Sequence, residues 1–188
     1  MTVLSTAEKV VAFRESGWVD RMHTVIKQRS YRTGEHQWNV ANLIILLFPN
    51  DVTVDLIKAG LWHDVPERWV GDSPYPAKYP MTGNKLAEVL HQAEDKVDHY
   101  LNCNVDLDER GHGILKICDM LELILWAHEE LKLGNVHIQG TFNNGMRAIT
   151  YMALWDEIKD TVNEILACPN TEDSSWWKEL MDNAKVRK

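Results

Sequence analysis

Ile114-Leu115-Lys116-Ile117-Cys118-Asp119-Met120-Leu121-Glu122-Leu123-Ile124-Leu125-Trp126 is the stretch that decides the fold. It lies inside a helical pattern running from Asp108 to Leu133, stopped by Gly134 and Asn135. A helix apolar over so much of its surface belongs in a core. Asp119 interrupts it, and burying an unpaired carboxylate costs several kcal/mol. Asp119 therefore lies on a polar face, pairs with an Arg, or meets a cation or metal.

Outward from this helix the chain reads as helices. A capped amphipathic helix is expected from Ala7 to Trp18, with Ser5 or Thr6 as its cap. His36 to Phe48 reads as a buried helix stopped by Pro49 and Asn50, with His36 at its N-terminal end. Another runs from near Thr53 to His63 and Asp64, broken at Pro66. The Pro- and Gly-rich segment from Gly71 to Gly83 is expected to be an irregular loop. Helical patterns follow at Lys85 to Leu101 and Asn144 to Leu166, with a short one at Ser174 to Ala184. No segment alternates convincingly as a strand, so the expected fold is all-α, a single domain over residues 1–188.

Composition narrows the function. A formal charge of −8 argues against gripping long nucleic acid or an anionic membrane. The stretch from Asp20 to Glu35 nevertheless holds Arg21, Lys27, Arg29 and Arg32 with no acid between its ends, a local basic patch for either a small anion or solvent. Cys103, Cys118 and Cys168 are never spaced as CxxC, so a reduced, cytoplasmic setting without a thiolate zinc site is expected. No signal segment or membrane span is read. Eight tryptophans in a small chain suggest apolar surface buried in a homo-oligomer.

Four residues recur as candidate ligands: His36, the adjacent His63 and Asp64, and Asp119. Imidazole and carboxylate together suit a divalent transition metal and phosphate chemistry. Each histidine alone also fits a hydrogen-bonded core residue. Glu67 and Asp72 follow closely as a candidate general base and further cation ligand. His128-Glu129-Glu130 is not HExxH, and neither a P-loop nor a GxSxG turn is present.

The order His36, His63-Asp64, Asp119 resembles the H…HD…D signature of the HD-domain phosphohydrolases. His23-Thr24, Glu35-His36, Leu61-Trp62-His63-Asp64, Glu67, Gly71-Asp72, Pro74, Pro76 and Lys78-Tyr79 are similar to the bacterial 5'-deoxynucleotidases of that family, and more so to small phage enzymes that split dATP into deoxyadenosine and triphosphate. Glu129-Glu130-Leu131 and Gly134-Asn135 extend the resemblance, which covers Trp18 to Asn135.

The resemblance implies a deoxynucleotide triphosphohydrolase in which activated water attacks the α-phosphorus, with a dNMP-specific 5'-deoxynucleotidase or a non-catalytic nucleotide-binding module as alternatives. His36, His63, Asp64 and Asp119 would hold a divalent metal (Zn, Co, Mn, Fe or Mg), and Glu67 would orient or deprotonate the water. Asp72 would assist, or hold a second metal with Glu67. Arg21 and Lys78 would contact phosphates, and His23 shares the segment. Met22 stands where the bacterial enzymes have a sugar-crowding Trp. Trp38 and Arg32, beside His36, are further substrate candidates. The expected location is the cytoplasm, that of the host if the chain is phage-encoded.

Overall fold

The computed structural model describes residues 4–78, 81–168 and 173–185. Tyr79 and Pro80, within the expected irregular loop, lie outside the described residues. Ten α-helices follow in order among those described: α1 (Thr6–Ser16), α2 (Thr33–Leu47), α3 (Val54–Trp62), α4 (Glu67–Val70), α5 (Tyr75–Lys78), α6 (Lys85–Leu101), α7 (Glu109–Lys132), α8 (Gln139–Ile149), α9 (Trp155–Ala167) and α10 (Ser175–Lys185). The architecture is all-α, and extended pairing among the described residues is limited to an isolated bridge between Asp20 and Arg32. No described helix is long and apolar enough to cross a membrane.

The chain divides into two compact units, residues 1–155 and 156–188. The second consists of α9 from its second residue and α10, where Trp176 and Trp177 meet edge to face with centroids 5.7 Å apart. The first holds every candidate residue. There α7 packs against α2, α3 and α8, and α2 packs against α3. Val40 and Ile44 of α2 and Ile114, Ile117, Cys118, Leu121 and Ile124 of α7 are buried, as the apolar run around Asp119 requires.

Local chemistry explains the helix starts. Ser5 caps α1 in a capping box with Glu8, Thr53 accepts from the Leu56 N–H, and Asp108 accepts from the Gly111 N–H at 2.7 Å. Several boundaries differ from expectation. α2 begins at Thr33, so His36 is its fourth residue and donates its backbone N–H to the Arg32 carbonyl. The segment after Gly71 contains the one-turn α5. The expected helix from Asn144 to Leu166 is two, because overlapping turns at Tyr151, Met152 and Trp155 replace the α-helical ladder, while α8 starts earlier at Gln139. Packing explains α8: Gly145 lies so close to α7 that a Cβ would meet Ile124 Cγ1 at 2.8 Å. Tertiary contact overrides the poor helix propensity of Gln139-Gly140-Thr141.

A close approach of α2 and α3 sets the geometry of the histidines that they carry. A Cβ on Gly60 would meet Ile44 Cδ1 at 2.9 Å and the Ala41 backbone at 3.3 Å. Gly60→Val is expected to lower unfolding free energy by about 1–3 kcal/mol through overpacking, and to weaken divalent-ion binding as α3 is pushed from α2. Chemical denaturation and metal titration of the same variant check both.

Candidate metal centre

Three helices bring His36, His63 and Asp119 together, with Asp64 beside them. α2 carries His36, the C-terminal end of α3 carries His63 and, in the following turn, Asp64, and the middle of α7 carries Asp119. His36 Nε2 lies 3.2 Å from His63 Nε2 and 3.1 Å from Asp119 Oδ1. His63 Nε2 lies 3.9 Å from the same oxygen. Donor atoms of His36, His63 and Asp119 all fall within 4.8 Å of one another. Asp64 Oδ2 is 3.4 Å from both Nε2 atoms, and also accepts a hydrogen bond from Arg21.

Hydrogen-bond partners assign the tautomers. His36 Nδ1 lies 2.5 Å from Glu122 Oε2, and a carboxylate can only accept, so Nδ1 carries the proton. His63 Nδ1 faces the carbonyls of Gly60 at 3.1 Å and Ala59 at 3.2 Å, which likewise only accept. Neutral imidazoles so held point both Nε2 lone pairs at each other and at two carboxylates. That arrangement needs positive charge at its centre, from protons or a metal ion. Two imidazoles and two carboxylates are donors for a divalent transition ion, and both Nδ1 partners are of the kind that orient a metal-binding histidine.

The same field acts on protons. Burial opposes the charged form of His63, but the carboxylates of Asp64 and Asp119 push its pKa up to about 9. His36 is also raised, against burial, by hydrogen bonds to Asp119 and Glu122. Burial resists ionisation of Asp119, which the hydrogen bonds from His36 and His63 nevertheless hold well below the usual carboxylate range. The Asp119 side chain keeps 44% of its surface accessible, so it is not the sealed acid that its apolar neighbours suggested. Metal must displace the His63 proton. Ion affinity is thus expected to climb with pH until about 9, measured by competition with a buffered chelator.

Glu67, the first residue of α4, is 7% exposed, with Oε2 3.6 Å from Arg21 Nη1 and 3.4 Å from Thr33 Oγ1. Burial, with the Asp64 charge, pushes its pKa up to about 8, while Arg21 and Lys78 pull the other way. Arg21 is largely buried, sits 5.5 Å from the Tyr31 ring centroid, and leaves Nε without a hydrogen bond. Lys78 ends α5 and lines a cleft of about 400 Å³ with Asn84, His91 and Glu94.

Other expected site residues are placed differently. Asp72 accepts the Met22 N–H at 3.0 Å and lies 4.0 Å from His23 Nδ1, so it holds the turn that follows Arg21. Met22 takes a left-handed conformation, φ 51°, uncommon for a side chain of its size, and packs against the cluster of Tyr31, Trp126, Ala127 and Ile138. Trp38 is 63% exposed, because two residues beyond His36 is about 200° around a helix. Arg32 is exposed and stacks over Trp18 at 4.5 Å. Arg32 meets His36 through its backbone carbonyl, while its guanidinium lies over Trp18.

Glu122 and Tyr31 escaped the sequence reading. Glu122 sits one helical turn after Asp119 and accepts from His36, from Asn39 Nδ2 at 3.1 Å, and from the Tyr31 hydroxyl. Tyr31 in turn stacks on Trp126 with centroids 4.5 Å apart. A second acid at i+3 in the same apolar run was the available signal. Glu122→Gln is expected to weaken metal binding about 10–100-fold with the fold retained, read by calorimetric titration alongside circular dichroism.

The fold is that of the HD-domain phosphohydrolases. An HD-domain phosphohydrolase from Listeria innocua superposes with a TM-score of 0.67 at 18% identity, covering 98% of this chain and 100% of that one. The cyanophage S-2L HD phosphohydrolase, bound to dA and one catalytic zinc ion, superposes with a TM-score of 0.65 at 19% identity, covering 89% and 96%. In sequence the chain resembles a dATP triphosphohydrolase of Salmonella phage PMBT28, 26% identical over 182 residues, covering 88% of this chain and 84% of that protein. No protein-family model matches.

Proposed function

We propose that the chain is a metal-dependent deoxynucleotide phosphohydrolase that converts dATP to deoxyadenosine and triphosphate. The observation that carries this reading is the pair of His36 and His63 Nε2 atoms, held by their Nδ1 partners toward Asp119 and Asp64. His36, His63, Asp64 and Asp119 would hold the ion, which when bound supplies Lewis acidity at the phosphate. The similarity to the Salmonella phage dATP triphosphohydrolase supports the choice of substrate, and the dA-bound cyanophage protein supports an adenine deoxynucleoside.

The chain's own residues divide the remaining work. Arg21, tied to Asp64, offers its other N–H groups to phosphate oxygens. Glu67 has a pKa suited to proton transfer near neutral pH. It takes a proton from the attacking water as oxygen bonds to the α-phosphorus. The bond from that phosphorus to the 5' oxygen breaks, and the proton passes to deoxyadenosine. Lys78 and the cleft beside it give the rest of the polyphosphate a place to lie. Asp72 acts by holding the Arg21–Met22 turn, and a second cation between Glu67 and Asp72 is part of the reading. So is a homo-oligomer, for which Trp18, Trp38 and Leu46 supply exposed apolar surface.

Incubation with dATP, ATP or dAMP under Mn²⁺, Co²⁺, Mg²⁺ or Zn²⁺, with products resolved by ion exchange, tests the assignment. Triphosphate is expected from dATP. Phosphate from dAMP with none of that triphosphate would make the chain a 5'-deoxynucleotidase, and binding without turnover would make it a nucleotide-sensing module. Glu67→Gln is expected to lower kcat by about 10²–10⁴-fold while leaving the ion at His36, His63, Asp64 and Asp119 in place. Asp119→Ala is expected to lose both, and full activity in that variant would sink the metal-enzyme reading.

A further inference from the structure

The segment between Val19 and Thr33 is a closed excursion, joined at its base by Thr33 N–H to Val19 O at 3.0 Å and Arg21 N–H to Tyr31 O at 2.8 Å. It presents Arg21 to the metal centre. In its outer half Val25 packs against the Tyr31–Trp126 cluster, while Ile26 is 64% exposed and Gln28 is exposed. Beyond Val25, a fully buried carboxylate at the far end of α7, Glu130, holds the Gln28–Arg29 backbone. Glu130 Oε2 accepts the Gln28 N–H at 2.7 Å and Asn135 Nδ2 at 2.7 Å. Oε1 accepts the Arg29 N–H at 3.0 Å and Arg29 Nε at 3.4 Å. Asn135 Nδ2 also donates to the Ile26 carbonyl at 2.9 Å.

An ion without water needs such donors to be tolerated. Burial opposes ionisation of Glu130, and the hydrogen bonds from Gln28, Asn135 and Arg29 nevertheless hold its pKa below the ordinary value. From here the contacts continue to the site. Lys27, next to the captured Gln28 amide, donates from Nζ to Asp20 Oδ1 and to the Arg21 carbonyl, both at 2.6 Å. The Arg21 guanidinium then meets Asp64.

We propose that Glu130 is a positioning residue for substrate binding, setting the placement of Arg21 through the Gln28–Arg29 backbone and the Lys27 clamp. This rests on the reading of Arg21 as a phosphate contact. Glu130→Gln keeps the shape but turns an amide NH₂ toward N–H donors, releasing one side of the capture. Lys27→Met cuts the last link and leaves the Glu130 bonds in place.

The test combines hydrogen–deuterium exchange with steady-state kinetics on dATP, using the full chain loaded with Mn²⁺. In Glu130→Gln, exchange is expected to rise across residues 20–31 and not in α2 or α3. KM is expected to rise about tenfold, as the competent loop becomes a minority state, with kcat nearly unchanged and metal content equal to wild type. Lys27→Met is expected to raise KM in the same direction with thermal stability retained, and it decides the matter if Glu130→Gln does not fold. Unchanged KM in a folded Glu130→Gln or in Lys27→Met, a loss confined to kcat, or exchange spread through α2 and α3 would overturn the proposal. If the wild type hydrolyses no deoxynucleotide, the functional reading fails separately. Exchange at the Arg21 and Met22 amides then decides for Glu130, and an unaltered rate there overturns it.

Discussion

The hydrogen bond between His36 Nδ1 and the buried Glu122 carboxylate holds fold and site together. It crosses from α2 to α7, the two helices that share the core of the first unit. It fixes which nitrogen of His36 carries the proton, so Nε2 is left to face His63 and Asp119. The same carboxylate takes the Tyr31 hydroxyl, which stands at the end of the Arg21-bearing excursion. One buried acid therefore couples helix packing, imidazole orientation and the start of the substrate arm. Its charge is tolerable because three side chains donate to it.

Much of this was legible in the chain itself. The apolar run around Asp119 reads as a helix, His36, His63-Asp64 and Asp119 fall on three expected helices, and the family resemblance implied that those three meet. The break after Ile149 was hidden because residues 150–154 contain neither Gly nor Pro. The start of α8 was hidden for the opposite reason, since Gln139-Gly140-Thr141 is a poor helix former rescued by packing on α7. Trp38 lies two residues past His36, about 200° around α2, and the Arg32 side chain stacks on Trp18.

Charge patterning was half legible. The basic excess between Asp20 and Glu35 was visible, but its use was not. Lys27 goes to Asp20 and the Arg21 carbonyl, Arg29 to Glu129 and Glu130, and Arg32 to the face of Trp18. Only Arg21 is directed at the centre, beside Asp64 and Glu67. Of the other three, Lys27 contacts Arg21 directly, through the Arg21 carbonyl. Similarly, Met22 fills a core cluster, while its backbone, in a left-handed turn gripped by Asp72, shapes the approach to the site.

The central claim is that two Nε2 lone pairs and two carboxylates are arranged around a divalent ion. Anomalous diffraction at the absorption edge of manganese, from crystals grown with Mn²⁺ at a pH above neutrality, tests it most directly. The account requires a peak at about 2.0–2.3 Å from His36 Nε2, His63 Nε2, Asp119 and Asp64, with His36 Nδ1 still bonded to Glu122. An ordered centre with no anomalous peak at these four residues, or a peak bound through His36 Nδ1, would contradict it.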